Sequence, residues 1–281
     1  MIRAPSNQEL RPVVSSRFDS DTNVLRQLLE DAGLGTFLSS WRPEEGAFVL
    51  IKPNLVNASP FPVTTPKWIV KGLVDFIHGI DPSITIVVAE GTGDPDTETM
   101  DLFRIHGYTS IKRVDFVDLN REDCKEYKLP NGLRWKSLFL PRLLESAFII
   151  SVPVLKAHTL AGVTLCMKNM IGVCPPKHFQ NGGFWRKSSF HQRIHESIFD
   201  LNCAVKPHFC LLDATVGMSS GHLSGPTCSP LANRLVAGFD PVAVDALGAW
   251  LLGRNWYDIK HIRLANKVLG EATVWQTSNN M

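Results

Sequence analysis

Short apolar runs alternate with amphipathic stretches along the first half of the chain, and this alternation constrains the fold more than any other feature. The predicted strands are 47–51, 84–89 and 114–118, and the predicted helices between them are 66–78 and 97–106. Such an order implies a parallel sheet whose right-handed crossovers place the helices on its faces. The predicted class is α/β, a mostly parallel sheet flanked by helices, with a cleft at the carboxyl ends of the strands.

The second half continues the pattern. Residues 147–155 (AFIISVPVL) form a nearly unbroken apolar run, which predicts a central strand buried on both faces. Helices are predicted at 164–171 and 190–205, and strands at 209–213 and 234–239. Asp240 followed by Pro241 predicts the start of a further helix with Asp240 as its N-cap. Residues 124–140 predict a small hairpin around the turn Pro130-Asn131-Gly132.

The domain organisation follows from these elements. Residues 1–20 are polar and aperiodic, and Asp21 can cap a helix over 23–32, so we expect 1–45 to be an N-terminal arm and helix. Residues 46–281 are expected to be a single unit, and its division into lobes 46–145 and 146–281 stays open. Residues 175–189 form the longest predicted loop, and long loops in compact domains are often lids.

Composition favours a small-molecule partner. The 29 Lys and Arg nearly balance the 27 Asp and Glu, and no basic run interleaved with aromatic residues is present, so no nucleic-acid partner is expected. No stretch has the length of a signal peptide or a membrane helix, which predicts a cytoplasmic protein without a membrane partner. The six cysteines form no C-x-x-C pair and are expected to be free thiols. Whether the chain forms an oligomer stays open.

Polar residues follow several predicted strands. Because ligands of open parallel sheets bind beyond the carboxyl ends of the strands, we expect these residues to share one cleft. Each could instead be a cap or a solvated turn residue. The predicted substrate-binding residues are Lys52, Asn54, Thr65, Glu90, Asp94, Lys156, Asn169 and Asp213.

The segment 152–172 (VPVLKAHTLAGVTLCMKNMIG) carries the strongest chemical signal. His158 can move a proton near neutral pH, and a desolvated Lys168 can act as a base or as an electrostatic clamp. The small pair Ala161-Gly162 lets the backbone approach a ligand closely. A surface helix residue at 168 and a hydrogen-bonding histidine at a strand end are the alternative interpretation.

An ordered set of motifs resembles the family called domain of unknown function 362. The motifs are IKPNLV, TTP, EGTGD, VPVLKAH, VTLCMKNMIG, His191, DATVGM, SGP and FDPVAVDA, spread over about residues 47–270. Members of that family often carry a ferredoxin-like segment, whose signature is C-x-x-C-x-x-C-x-x-x-C-P. This chain lacks that segment, so no iron-sulfur cluster is expected.

A more distant resemblance is to the catalytic domain of nickel-pincer lactate racemases. His158, the Ala161-Gly162 pair and Lys168 reproduce the spacing of its cofactor site, but Gly93 stands where the racemase pattern has a catalytic histidine. Leu165-Cys166 replaces the Gly-Gly before the cofactor-bound lysine and would crowd a nucleotide cofactor. The resemblance implies a shared architecture and not a shared reaction.

Metal binding is an alternative that the sequence leaves open. His191 and His195 are four residues apart and would lie on one face of the predicted helix, although Gln192 excludes the H-E-x-x-H motif. The candidate ligands of a divalent metal are His158, His191, Cys166 and Cys174. Residues 217–225 (GMSSGHLSG) are glycine-rich after a strand and can cradle an anion without being a P-loop.

Together these patterns predict an enzyme acting on a small anionic metabolite by acid–base or redox chemistry. Its class would be isomerase or oxidoreductase. His158, Lys168 and His191 are the predicted catalytic residues, with Lys52 and Lys168 as anion clamps. The alternative is a metal-binding or redox accessory protein without turnover.

Overall fold

The computed structural model describes residues 13–18, 23–42 and 44–273. The strands are β1 (Val14–Arg17), β2 (Phe48–Pro53), β3 (Ile86–Glu90), β4 (Asp115–Asp118), β5 (Cys124–Lys128), β6 (Ser137–Pro141), β7 (Ala147–Val152), β8 (Val154–His158), β9 (Gly162–Thr164), β10 (Phe209–Met218) and β11 (Arg234–Gly238). The α-helices are α1 (Asn23–Asp31), α2 (Leu34–Ser40), α3 (Lys67–Ile80), α4 (Thr99–Ile105), α5 (Cys166–Asn169), α6 (Pro176–Phe179), α7 (Ile194–Ala204), α8 (Pro241–Leu251) and α9 (Lys260–Ala265).

The main sheet has the strand order β1-β11-β10-β7-β2-β3-β4, with β8 pairing to β10 and β9. The pairs β4–β3, β3–β2, β2–β7, β7–β10 and β8–β10 are parallel. Strands β1, β11 and β9 pair antiparallel. The predicted α/β class with a mostly parallel sheet is therefore confirmed. Both of the lobes left open by the sequence contribute strands to this sheet, and a two-lobe division is not confirmed.

Apolar side chains cover both faces of the central strands. In β2, Val49 and Ile51 pack in a cluster with α1, α3 and α4, while Leu50 between them packs in a cluster on the other face. Successive side chains of a strand point to opposite faces, so a strand buried on both sides must be apolar at every position. This requirement explains why the polar residues Lys52 and Glu90 lie at the carboxyl ends of β2 and β3.

The N-terminal segment departs from the prediction. Residues 14–17 form β1, an antiparallel edge strand beside β11, rather than part of an aperiodic arm. Val14 and Leu25, Leu28 and Leu29 of α1 join the same apolar cluster as the central strands. This edge strand has only four residues, so its alternation of buried and exposed side chains is too short for the sequence to predict it. The predicted cap, Asp21, lies outside the described residues.

The predicted central strand 147–155 is two strands, because Pro153 interrupts it. Proline has no N–H to donate to a neighbouring strand, and its carbonyl instead accepts from the Asp213 backbone N at 3.0 Å. β7 ends at Val152, and β8 continues beside β10 and turns back as the hairpin partner of β9. Lys156 and His158 therefore lie within a strand and not in the loop after one.

Two predicted helices are also shorter than expected. The segment 164–171 begins as the end of β9, and only Cys166–Asn169 is α-helical. The segment 190–205 is broken at Arg193, which has a left-handed φ of 50°. His191 lies in the 3-10 helix Ser188–His191 and His195 in α7, so the two do not share one helix face.

Other predicted elements are confirmed. The strands β2, β3, β4 and β11 and the helices α1, α3 and α4 lie within a few residues of their predicted bounds. The hairpin insertion is the two-stranded sheet of β5 and β6. Asp200 on α7 holds this insertion, because its carboxylate accepts from the backbone N–H groups of three consecutive residues, Leu133, Arg134 and Trp135. In the described residues, no helix has the length and apolar character that spanning a bilayer requires.

Asp240 caps α8 as predicted, and its loss should weaken the fold. The carboxylate accepts from the backbone N of Val242 at 2.8 Å, of Ala243 at 3.1 Å and of Glu271 at 2.7 Å. Asp240→Ala leaves these buried donors without an acceptor, so we expect the free energy of unfolding in urea to fall by about 1–2 kcal/mol. Asp75→Ala, which removes an exposed surface pair, should change it by less than about 0.5 kcal/mol. Equal effects of the two substitutions would contradict the capping role.

Candidate functional site

A cavity of about 290 Å³ opens at the carboxyl ends of β2 and β3, beside the β8–β9 hairpin. Ligands of open α/β sheets bind at this edge, and the volume is near the lower end of known ligand cavities. The lining consists of Lys52, Asn54, Leu55, Val56, Glu90, Gly91, Gly93, His158, Thr159, Leu160, Thr164, Lys168, Asn169, Ile171, Gly172, Trp185, Lys187, Phe190, His191, Ile194, His222 and Leu223.

A buried ion pair joins the ends of β2 and β3 at the floor of this cavity. Lys52 Nζ donates to Glu90 Oε1 at 2.8 Å and to Asn169 Oδ1 at 3.2 Å. Glu90 also accepts from the backbone N of Gly91 at 2.9 Å and of Leu55 at 3.0 Å. Asn169 returns a hydrogen bond to the Lys52 carbonyl at 3.1 Å, which ties α5 to β2. The network therefore fixes three chain segments at one point.

Lys52 cannot serve as the predicted anion clamp. Its three ammonium hydrogens are taken by Glu90, Asn169 and, at 3.1 Å, the Pro53 carbonyl. An ammonium has three donors, so no donor is left for a ligand. Its charge is compensated by Glu90 in the same contact. The structure assigns Lys52 to the framework of the site.

Asn54, Lys156 and Thr65 form a second layer beneath the cavity. Lys156 Nζ donates to Asn54 Oδ1 at 2.7 Å and to the Val63 carbonyl at 2.6 Å. Thr65 Oγ1 accepts from the Asn54 backbone N at 2.8 Å, and Asn54 Nδ2 donates to Asn169 Oδ1 at 3.2 Å. Lys156 and Thr65 do not line the cavity. They position Asn54, which does.

Lys168 differs from these lysines because its ammonium makes no hydrogen bond and no ion pair with any described residue. It is carried by the last turn of α5 and lines the cavity. Burial lowers the pKa of Lys168 to about 8, and no neighbouring carboxylate opposes that shift. A desolvated cation without a partner is destabilising unless something else supplies negative charge. Lys168 is thus a free cationic group inside the cavity.

His158 faces the cavity as a neutral hydrogen-bond donor. Its Nδ1 accepts from the backbone N of Leu160 and of Ala161, both at 3.1 Å. An accepting Nδ1 places the ring proton on Nε2, an assignment made from the hydrogen-bond network. Burial and then Lys168 lower the pKa of His158 far below its ordinary value, so the ring is uncharged near neutral pH. The small Ala161-Gly162 pair supplies the tight turn that brings these amides to the ring.

His222 is a cavity residue that the sequence analysis missed. It comes from the glycine-rich segment 217–225 and stacks on His158, with ring centroids 4.0 Å apart. Burial and then Lys168 lower the pKa of His222 to about 4. The glycine-rich segment 217–225 was the available signal. The sequence analysis predicted an anion cradle from its backbone amides and did not consider its histidine. His191, at the exposed rim, also has a pKa lowered by burial and by Lys168.

Several predicted residues lie outside the lining. The Asp94 carboxylate accepts from the backbone N of Asp96. The Asp213 carboxylate accepts from the backbone N and the hydroxyl of Thr215. Asp213 was expected in the shared cleft, but it lies within β10, where it pairs with Val154 of β8, and it does not line the cavity. Burial raises the pKa of Asp213 to about 6.

The candidate metal ligands are not gathered at one place. Cys166 and Cys174 are buried outside the lining, and burial raises the pKa of Cys174 to about 12. His195 contacts His261 at 3.1 Å between their Nδ1 atoms, away from His191. In residues 13–18, 23–42 and 44–273, no group of three or more His, Cys, Asp or Glu side chains is arranged to hold a metal ion.

Asp245 positions the turn that carries Lys168. Its carboxylate accepts from the backbone N of Cys166 at 2.7 Å and of Met167 at 3.1 Å, at the start of α5. Burial raises the pKa of Asp245 to about 7, although these amide bonds oppose the shift. Asp245 belongs to the motif FDPVAVDA, whose other aspartate caps α8. One motif therefore fixes both a helix and the cavity turn that packs on it.

The predicted lid segment, 175–189, is bound firmly to the body. Lys187 Nζ donates to Asn120 Oδ1 at 2.8 Å and to the carbonyls of Gly172 at 2.9 Å and Cys174 at 2.6 Å. Arg186 donates from its backbone N to the Gly93 carbonyl at 2.9 Å. These bonds place Trp185 in the cavity wall. Neither Lys187 nor Trp185 was among the predicted site residues.

Comparison with known proteins agrees with the resemblances in the sequence. The family model described as domain of unknown function (DUF362) matches residues 49–250. No curated protein matches. A solved structure, the lactate racemase apoprotein from Thermoanaerobacterium thermosaccharolyticum, is similar with a TM-score of 0.50 and 14% sequence identity over 85% of this chain. The chain spans 56% of that racemase's length, and at this identity the likeness extends to the fold alone.

The nickel-pincer cofactor implied by the racemase resemblance does not fit the cavity. The volume of about 290 Å³ is small for a nucleotide. Leu165 and Cys166, expected to crowd a nucleotide cofactor, are buried in the core and do not line the cavity. We derive no step through that cofactor.

Gly172 leaves the space in which the Lys52–Glu90 pair lies. A Cβ at this position would overlap Glu90 Oε1 and Lys52 Nζ. Gly172→Ala should therefore separate the two charges, and we expect the free energy of unfolding to fall by about 3 kcal/mol, the usual result of breaking a buried ion pair. Urea denaturation measures it.

Gly79→Ala is the matched control, because a Cβ there meets nothing within 4 Å and the residue lies in the last turn of α3. The control should be neutral or stabilising by up to about 1 kcal/mol. If Gly172→Ala were as stable as the control, the ion pair would not be the rigid centre of the site.

Proposed function

The chain belongs to the DUF362 family, a domain of unknown function, and from that premise we propose that its cavity binds a small organic anion and acts on it by acid–base chemistry. On this proposal the protein is an enzyme, and its substrate is a small molecule. Proton transfer of this kind occurs in isomerases and in the acid–base half of oxidoreductase reactions.

The observation that carries the proposal is the imbalance of charge in the cavity. Glu90 is the one carboxylate among the described lining residues, and Lys52 neutralises it. Lys168 has no counter-ion, and the imidazoles of His158 and His222 are uncharged near neutral pH. An anion that enters this space supplies the missing negative charge, and burial strengthens its attraction to the ammonium.

The groups around Lys168 can complete the recognition of an anion. His158 presents a fixed Nε2–H, because its Nδ1 is held by two backbone amides. Thr164 also lines the cavity, and its buried hydroxyl has no hydrogen-bond partner in the described residues. A charge-assisted bond to Lys168 with neutral donors beside it suits a carboxylate, whose two oxygens accept several hydrogen bonds.

We assign the proton transfer to His222. His158 is a poor base because its accepting nitrogen is already occupied, whereas His222 makes no hydrogen bond to a described residue. Burial and the positive charge of Lys168 keep His222 unprotonated before the ligand binds. A bound anion offsets the charge of Lys168 and so raises the basicity of His222. Lys168 holds the anion and His158 donates to it.

Lys168→Met tests the proposal, because methionine keeps the apolar stem and removes the charge. The wild-type protein should gain thermal stability with a saturating organic anion, by about 2.7 kcal/mol at a hundred times its dissociation constant. Lys168→Met should lose that gain. Its own melting temperature should be equal to the wild-type value or higher, because an unpaired buried charge has been removed.

Lys71→Met is the control, because Lys71 is an exposed lysine paired with Asp75 on the surface of α3. It should keep the full ligand-induced shift at the same ionic strength. His158→Ala is not a suitable control, because it removes the acceptor of two backbone amides. A Lys168→Met protein that retains the shift, or that unfolds, would contradict the proposed function.

A further inference from the structure

The cavity has two chemically different walls. One wall comes from the β8–β9 hairpin, α5 and the glycine-rich segment 217–225, and it carries His158, Lys168 and His222. The other wall comes from the end of β3 and from the segment 175–189, and it carries Gly93 and Trp185. Strand β3 lies two positions from β7 in the sheet, and β8 follows β7 directly. At about 4.8 Å between strands, the backbones of β3 and β7 are separated by roughly 10 Å.

The charged groups of the second wall are already bonded to the protein. Lys187 uses its three donors on Asn120, Gly172 and Cys174. Glu90 is paired with Lys52 and accepts from two backbone amides. Lys187 cannot bond to a ligand without giving up a buried partner, which is destabilising, and the Glu90 carboxylate has no hydrogen to donate to an anion. The surface that this wall offers to a ligand is therefore apolar.

Trp185 is the largest side chain of this apolar wall, and its ring packs edge to face on Phe184, with centroids 5.4 Å apart. The backbone N of Arg186 donates to the Gly93 carbonyl at 2.9 Å, and its guanidinium donates to Glu98 at 2.6 Å and to the Pro95 carbonyl at 3.1 Å. The indole lies next to Gly93, three residues after β3, where a Cβ would be 4.0 Å from Trp185 Cε3. Phe190 and Ile171 continue the apolar surface. Aromatic rings fixed in this way bury large apolar area at little cost in conformational entropy.

Resting on the function proposed above, we propose that the ligand is a monocarboxylate with an apolar alkyl or aryl substituent. The carboxylate lies against Lys168 and His158, and the apolar substituent lies against Trp185. A short hydroxy acid such as lactate is long enough to contact Lys168 and His158 but not Trp185. A dicarboxylate would place a second charge against the apolar wall, where the ammonium of Lys187 is already bonded to the protein.

Isothermal titration of the wild-type protein with acetate, butanoate, hexanoate, phenylacetate and succinate, at constant pH and ionic strength, tests this inference. We expect affinity to rise by about fourfold for each added methylene, because each one leaves water for the apolar wall. Phenylacetate should bind more tightly than butanoate. Succinate, which has the chain length of butanoate and a second carboxylate, should bind more weakly than butanoate.

Two variants separate this inference from the proposed function. Trp185→Ala should weaken hexanoate at least tenfold and change acetate by less than about twofold, and Trp250→Ala, a half-exposed tryptophan on α8 outside the lining, should change neither. Lys168→Met should weaken all the acids. Binding that depends on Lys168 but not on chain length or on Trp185 would overturn the inference alone. No binding of any acid to the wild-type protein would overturn both proposals.

Discussion

The buried ion pair between Lys52 and Glu90 is the interaction on which the cavity depends. It joins β2 to β3 at the edge of the sheet, and Asn169 extends it to the turn that carries Lys168. Desolvation makes such a pair costly, and it is retained only where further hydrogen bonds satisfy both ions, as they do here. Gly172 is required because no side chain fits beside the pair. The ion pair therefore sets where the remaining charges of the cavity lie.

Unlike the Lys52–Glu90 pair, Lys168 lowers the stability of the free protein. Its charge is buried without compensation, so the free protein is less stable than one with an apolar residue there, and an anion would relieve that cost. Residues that weaken the fold in this way are frequent at functional sites. The likeness to a lactate racemase extends to the fold, and Gly93 and Trp185 belong to the cavity wall of this chain. The fold is thus shared while the chemistry belongs to the residues of this chain.

Local patterns in the sequence predicted the fold well and the site in part. Because ligands bind beyond the carboxyl ends of parallel strands, the sequence placed Lys52 and Glu90 in one cavity. It did not show that the two side chains form an ion pair, because that pairing depends on the register of two strands. The break at Pro153 was visible, yet the apolar run around it favoured one strand. The left-handed Arg193, which ends the predicted helix, has no propensity signal. His222 lies far along the chain and reaches His158 only through tertiary folding.

The most direct measurement is an NMR titration of the Lys168 side chain, with carbon-13-labelled lysine and assignment by comparison with Lys168→Arg. An uncompensated ammonium in a carboxylate-poor cavity should titrate at a pKa of about 8 in the free protein. Adding butanoate should raise that pKa, because a bound carboxylate stabilises the charged form. A pKa near 10.4, the ordinary value of a lysine, with no response to the anion would contradict the assignment of Lys168 as the anion-binding group.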